Sequence, residues 1–239
     1  MGYSVQDIIL RVESLNTFYG KAQILFDVSL DVDCREVVVL LGRNGAGKTT
    51  TLKSIMGMVS SIKGNIIFKG KPIGGIPPYK CCVQGLGYVP QNRRIFKRLT
   101  VLENLEVGRQ PPTKGSAAWT PGRLFDLFPN LAEKRHHLAG MLSGGEQQML
   151  TISRTLMGNP ELIILDEPTE GLAPIIVNQL STTIRRLKSE GISILMAEQN
   201  LNFARTNCDR AYILYQGHIQ YQSSLAELSQ AAYEKYCAL

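Results

Sequence analysis

The chain has 239 residues, 44% of them hydrophobic, and a formal net charge of +6. That length suits one large α/β domain or two small ones, long enough to bury a real core. No run approaches the roughly 18 apolar residues of a membrane span, and the opening Met1-Gly2-Tyr3-Ser4-Val5-Gln6-Asp7 lacks the zones of a secretory signal. An intracellular protein that touches a membrane only through a partner is expected. Cys34, Cys81, Cys82, Cys208 and Cys237 show no C-x-x-C spacing, which argues against a disulfide framework or a zinc site. Basic residues are scattered apart from Arg93-Arg94 and Lys97-Arg98, so nucleic acid is not expected as a partner.

Apolar and polar residues alternate over 8–15 and again from Leu25 to Val32, where Phe26, Val28, Leu30 and Val32 share one face. Two antiparallel strands around a turn at Gly20-Lys21 are predicted. Tyr19, just before the turn, either stacks on a purine ring or serves as a core or edge tyrosine. Val37–Leu41 reads as a buried strand. It runs into Gly42-Arg43-Asn44-Gly45-Ala46-Gly47-Lys48-Thr49, and the helical stretch beginning Thr50-Thr51-Leu52 follows. Two glycines five apart, then Lys and Thr, form a phosphate-cradling pattern. Glycines let backbone N–H groups wrap closely around a polyphosphate, and the helix starting near Gly47 adds the positive end of its dipole. Lys48 supplies a point charge, and the Thr49 hydroxyl is a candidate magnesium ligand.

Asn65–Phe68 and Gly85–Pro90 read as strands, with Gln91 immediately beyond the second. Gln91 either hydrogen-bonds a bound metal's water or a neighbouring loop, or is a solvated loop residue. From residue 92 to about 142 the pattern changes to short amphipathic helices with proline-rich joints. Thr100 and Glu103 have capping-box spacing, Pro111–Ser116 is a loop, and Leu124–Phe128 is a helical turn before Pro129. His136-His137 reads as a solvent-facing pair. This polar helical insertion implies a subdomain that can move and meet a partner.

Ser143 and Glu146 again have capping-box spacing, before a helix that includes Met149–Met157. Gly144 and Gly145 weaken a helix start by roughly 1 kcal/mol each, which makes sense if backbone there approaches an anion. Leu162–Leu165 is a continuous apolar run, as in a parallel strand buried on both faces, and ends in Asp166-Glu167-Pro168. Adjacent carboxylates at a strand's end point apart: Asp166 toward a magnesium shell, Glu167 toward an attacking water. A helix from Pro174 to about Lys188, a strand over Ile192–Ala197, a helix over Leu201–Thr206 and a strand over Arg210–Leu214 follow. That alternation implies a parallel sheet. A hairpin at Gln216-Gly217 leads to a C-terminal helical segment, Leu225–Tyr236.

The 42–49 loop, Leu142-Ser143-Gly144-Gly145-Glu146 and Leu165-Asp166-Glu167-Pro168, in this order, resemble the ATP-binding subunits of ABC transporters over nearly the whole chain. The resemblance implies an α/β fold: a P-loop ATPase core with a mainly parallel sheet, an N-terminal antiparallel β subdomain and an inserted α-helical subdomain. The core would span about 1–91 and 158–239, and the helices about 92–157. It implies Tyr19 stacking on adenine, and phosphates held by Gly42, Arg43, Asn44, Gly45, Ala46, Gly47, Lys48, Thr49 and Thr50. Magnesium would be served by Thr49, Gln91 and Asp166; Glu167 would be the catalytic base or water-orienting carboxylate, with Gln91, linking metal, water and transmembrane partner, and Gln199 as the other catalytic positions. Ser143, Gly144 and Gly145, with Glu146 beside them, would meet the γ-phosphate of ATP bound to a second subunit.

Two positions depart from the family pattern: Ala173 stands where an aspartate is common, and Gln199 where a switch histidine is common. Glutamine can hydrogen-bond a γ-phosphate but carries no charge. The stretches Glu170–Ile176, Ala197–Asn200 and Gly144–Leu150 resemble one ATPase of branched-chain amino-acid importers and their amide and urea relatives. The implied partners are a second ATPase, a different chain or a copy of this one, two transmembrane permeases and, indirectly, an extracytoplasmic binding protein. The implied place is the cytoplasmic face of the cell membrane. A urea, amide or organic-acid importer, or a weakly hydrolysing regulatory partner, is the alternative.

Overall fold

A computed structural model describes residues 8–112 and 118–237. The opening heptapeptide and the Thr113–Ser116 part of the expected loop lie outside the described residues. Strands β1 (Ile8–Tyr19) and β2 (Ala22–Asp33) pair antiparallel around the turn at Gly20-Lys21. One expectation fails here. A bulge, with Asp27 at φ 52°, shifts the alternation, so Leu25 joins Val28, Leu30 and Val32 in the core. Phe26 is left half-buried, stacked on His218 at 4.9 Å.

The apolar run Val37–Leu41 is β3, buried at every position, and α1 (Lys48–Ile55) follows the phosphate-type loop. Strand β4 (Ser61–Phe68) begins before the expected Asn65, pairs with β1 and carries the short β5 (Lys71–Pro72), giving the sheet order β2-β1-β4-β5. The short α2 (Pro78–Val83) precedes β6 (Leu86–Val89). Its six residues carry too little periodicity to announce a helix, and only proline at the first position marks it.

Between β6 and the next strand every described element is helical: α3 (Val101–Val107), α4 (Pro121–Leu127), α5 (Pro129–Glu133), a 3-10 turn at Ala139–Met141, and α6 (Gly144–Leu156). Both capping boxes form, Thr100 with Glu103 and Ser143 with Glu146. His136 and His137 are both exposed. The chain then alternates β7 (Leu162–Asp166), α7 (Pro174–Ser189), β8 (Ser193–Glu198), α8 (Leu201–Asn207), β9 (Arg210–Tyr215), β10 (His218–Ser224) and α9 (Gln230–Cys237). Helix α9 starts later than the expected Leu225. Leu225 and Leu228 are instead buried, and the Leu225 N–H donates to the Asp209 carbonyl at 2.9 Å, which holds the segment in place before the helix can begin.

The second sheet runs β10-β9-β3-β8-β7-β6, parallel except for β10. Its strands β3, β7 and β8 bury both faces with period two. Val37, Val39, Leu41, Ile163, Leu165, Ile194 and Met196 pack under α6, α7 and α8; Val38, Leu40, Leu162, Ile164 and Leu195 pack toward β1, β2 and α1.

Gly217, in the β9–β10 turn, ties this sheet to the antiparallel one. Its N–H donates to the Ala46 carbonyl in the loop after β3, and its carbonyl accepts from Phe26 of β2, both at 2.9 Å. Its φ is 80°, and an added Cβ would lie 2.1 Å from the Ile24 carbonyl oxygen. Gly217→Ala should therefore cost about 2 kcal/mol or more of stability, read by urea denaturation; a loss under about 0.5 kcal/mol, as at neutral surface sites, would contradict this brace.

Candidate active site

The site forms at the carboxyl ends of β3, β8 and β7, the edge where open α/β sheets hold ligands. Leu41 is in register with Glu198, and Ala197 with Asp166. Three loops distant in sequence therefore emerge side by side: residues 42–47, residues 199–200 and the turn that starts at Glu167.

In the first loop, Gly47 caps α1 at φ 111°, and a Cβ there would lie 2.7 Å from Leu25 Cδ2. A Cβ on Gly42 would lie 2.4 Å from the Leu214 carbonyl oxygen. Glycine is required at both by packing behind the loop as well as by close approach in front. Lys48 is buried; its Nζ donates to the carbonyls of Gly42 at 2.8 Å and Arg43 at 3.1 Å, and pairs with Glu167 Oε1 at 3.0 Å. Thr49 Oγ1 donates to Asp166 Oδ1 at 2.8 Å. Consecutive loop residues thus meet consecutive carboxylates.

Asp166 is 1% exposed. Burial pushes its pKa above the ordinary carboxylate value, against hydrogen bonds from Thr49 and Tyr88 that favour the ionised form. Tyr88 donates to Asp166 Oδ2 at 2.9 Å. Glu167 leaves the strand at φ 47°, in the left-handed region. Such strain persists only where surrounding contacts hold it; here it turns the carboxylate onto Lys48.

Gln199 Nε2 donates to Glu167 Oε2 at 3.1 Å and to Asn44 Oδ1 at 2.8 Å, bridging the first and third loops. Tyr19, 48% exposed, stands at the rim of a cleft of about 410 Å³ whose floor includes Gly45, Lys48, Thr49, Thr50 and Glu167. That size accommodates a nucleotide. Gln91 reaches the same cleft and hydrogen-bonds Glu170. Arg43 and Asn44 are exposed beside it, and Gly42 and Ala46 are buried behind it. A glycine-rich loop, one lysine and a helix start suit a polyphosphate; the hard oxygens of Thr49 and Asp166 can hold magnesium.

Ser143, Gly144, Gly145 and Glu146 do not line this cleft. Ser143 caps α6, and Glu146 is held by Ser143 and Lys134. Burial works to raise the Glu146 pKa, but those hydrogen bonds prevail and it is lowered. The glycines also have a packing reason that sequence reasoning missed: a Cβ on Gly145 would lie 2.8 Å from Ile176 of α7. Tyr88, Glu170 and Glu198 were missed as well. Nothing local marks them, because each reaches the site through a strand pairing or loop contact.

The profile of the family described as ABC transporter matches residues 25–170. The chain is 43% identical to the high-affinity branched-chain amino acid transport ATP-binding protein BraG of Pseudomonas aeruginosa, over 88% of this chain and 91% of that one. It is 39% identical to the lipopolysaccharide export system ATP-binding protein LptB of Haemophilus influenzae, over 88% of each. Among solved structures, an ATP-binding cassette of an ABC transporter in its ADP conformation superposes with a TM-score of 0.78 at 28% identity, covering 92% of this chain and 95% of that one. With a nucleotide-sized cleft over the 42–49 loop and relatives of this kind along nearly its full length, the chain belongs to the ABC transporter family, as one of its ATP-binding, ATP-hydrolysing subunits.

Proposed function

We propose that this chain hydrolyses ATP within a pair of ATP-binding subunits and thereby powers a permease that takes up branched-chain amino acids or related small solutes. The observation that carries the hydrolytic reading is the double contact of Lys48 with Glu167 and Thr49 with Asp166. The amides of residues 42–49 and Lys48 hold the phosphates, with Thr50 at the helix start, and Tyr19 stacks on adenine. Lys48 exchanges the Gly42 and Arg43 carbonyls for phosphate oxygens. Thr49 and Asp166 hold magnesium, with Gln91 beside them; the ion supplies neutralising charge to the phosphates when bound. Glu167 orients the attacking water, and Gln199 fixes its second oxygen. The place of Ser143–Glu146 outside this chain's own cleft, with Ser143 exposed, supports their meeting ATP held by the other subunit, either a different ATPase or a second copy.

Residues 92–157 form the helical subdomain in this reading, and about 1–91 with 158–239 the nucleotide core. Among the described residues no helix is long and apolar enough to cross a membrane; in this reading the permeases hold the chain at the membrane. A groove lined by Met58, Phe96, Val107, Arg94 and Arg154 supports a permease contact on this face. Similarity to BraG favours amino-acid uptake. Similarity to LptB supports lipopolysaccharide export as the second reading. In proteoliposomes with the cognate permeases, ATPase activity should rise when an amino-acid-loaded binding protein is added outside. Stimulation by lipopolysaccharide instead would favour export.

Glu167→Gln should keep ATP binding and slow turnover roughly 10²–10⁴-fold, the range for losing a general base; parental turnover would remove Glu167 from the reaction. Asp166 gives a separate prediction. Its raised pKa means the folded chain holds that proton more tightly than the unfolded chain. Stability from this group is therefore lost as pH rises from the ordinary carboxylate range through the raised value. At neutral pH, Asp166→Asn should raise the melting temperature of the nucleotide-free protein by about 2–4 °C, the shift that about 1 kcal/mol gives a domain of this size, while lowering hydrolysis. An unchanged or lower melting temperature would contradict the buried-charge account.

A further inference from the structure

One buried acid has no task in the mechanism above. Glu198 ends β8, is 2% exposed, and its hydrogen-bond partners are neutral donors. Oε1 accepts from the Thr169 N–H at 3.1 Å and the Thr169 hydroxyl at 2.7 Å. Oε2 accepts from the N–H groups of Gln199 at 3.1 Å and Asn200 at 3.3 Å. Burial pushes its pKa up, against these hydrogen bonds. Among the described residues no cation pairs with Glu198; desolvating a carboxylate in that state is costly, and a neutral side chain there would spare the fold that cost. Each oxygen takes two donors, so an amide cannot substitute: its NH₂ would face N–H or O–H groups on one side or the other.

The donors come from two different loops. Thr169 belongs to the turn that begins at Glu167, where the Glu170 N–H donates to the Glu167 carbonyl at 3.2 Å. Gln199 belongs to the loop after β8 and reaches Glu167 Oε2 at 3.1 Å. Glu167 itself is held at its backbone by the Ala197 carbonyl, at 3.0 Å, adjacent to Glu198. The carboxylate of Glu198 therefore sits under the junction of both loops.

We propose that Glu198 is a positioning residue for hydrolysis: it clamps Thr169 to the Gln199–Asn200 turn and so sets the Glu167 carboxylate against Gln199 and Lys48. This rests on the reading of Glu167 as the water-orienting group. Because an amide lacks the acceptor capacity, loss of the clamp misplaces Glu167 while leaving the 42–49 loop that holds the phosphates in place.

The test measures kcat and KM for ATP separately on the full chain. The variants are Glu198→Gln, Thr169→Val, Thr169→Ser and the double variant Glu198→Gln with Thr169→Val, with Glu167→Gln run alongside. Glu198→Gln and Thr169→Val should lower kcat roughly ten- to hundredfold, the effect of about 1 Å of misplacement, with KM within about twofold of parental. Thr169→Ser, which keeps the hydroxyl, should retain parental kcat. The double variant should be no slower than Glu198→Gln alone, because both act on one clamp. Parental kcat in both Glu198→Gln and Thr169→Val, or losses that multiply in the double variant, would overturn the proposal. Should Glu198→Gln fail to fold, the contrast between Thr169→Val and Thr169→Ser still decides it. Parental hydrolysis by Glu167→Gln would instead sink the reading of Glu167, whatever the Glu198 variants do.

Discussion

Lys48 and Glu167 meet at 3.0 Å, both nearly excluded from water, although Lys48 starts the helix after β3, Glu167 starts the turn after β7, and β8 lies between those strands. Their contact depends on strand register. With Leu41 beside Glu198 and Ala197 beside Asp166, the three strands end at one level, and a one-residue slip would turn each end side chain to the opposite face. The core enforces that register. Each strand buries alternate residues in two different clusters, so a slip would exchange its two apolar sets and disturb packing on both faces.

The same edge gathers three buried carboxylates, Asp166, Glu167 and Glu198. Each is compensated differently: Glu167 by the Lys48 ammonium, Asp166 by two hydroxyls, Glu198 by three backbone N–H groups and a hydroxyl. Among the described residues only the first is in an ion pair, with Lys53 adding a favourable charge to Asp166 without pairing with it. Asp166 and Glu198 accordingly both have raised pKa values with burial as the leading cause. A fold that keeps such charges out of water gives up stability at its active edge and holds a preorganised polar environment in exchange, the condition under which electrostatic stabilisation of a transition state is largest.

Local patterns were legible wherever one short stretch contains its own physical reason. Thr100 with Glu103 and Ser143 with Glu146 cap helices because a side chain three residues away can reach the free N–H groups. Val37–Leu41 and Leu162–Leu165 read as central strands because only burial on both faces tolerates unbroken apolar runs. Phe26 was misplaced because a bulge changes which face a residue occupies, and bulges leave little trace in alternation. The start of α9 was misplaced because Leu225 and Leu228 are apolar in either reading, and only the Asp209 carbonyl decides that the segment is held before the helix begins.

The amino-acid sequence by itself determined the phosphate-type loop at 42–49, the adjacent carboxylates at 166–167 and the alternation that makes a parallel sheet. Each rests on interactions between neighbours along the chain. The tertiary structure alone decided which carboxylate faces Lys48 and which faces Thr49, brought Tyr88 onto Asp166, and set Glu198 beneath Thr169 and Gln199. Apart from the Gln199 N–H on its neighbour Glu198, those contacts join residues 29 to 119 positions apart, and no local periodicity encodes them. They exist because a sheet with two buried faces admits one register, and that register places the ends of β3, β8 and β7 together.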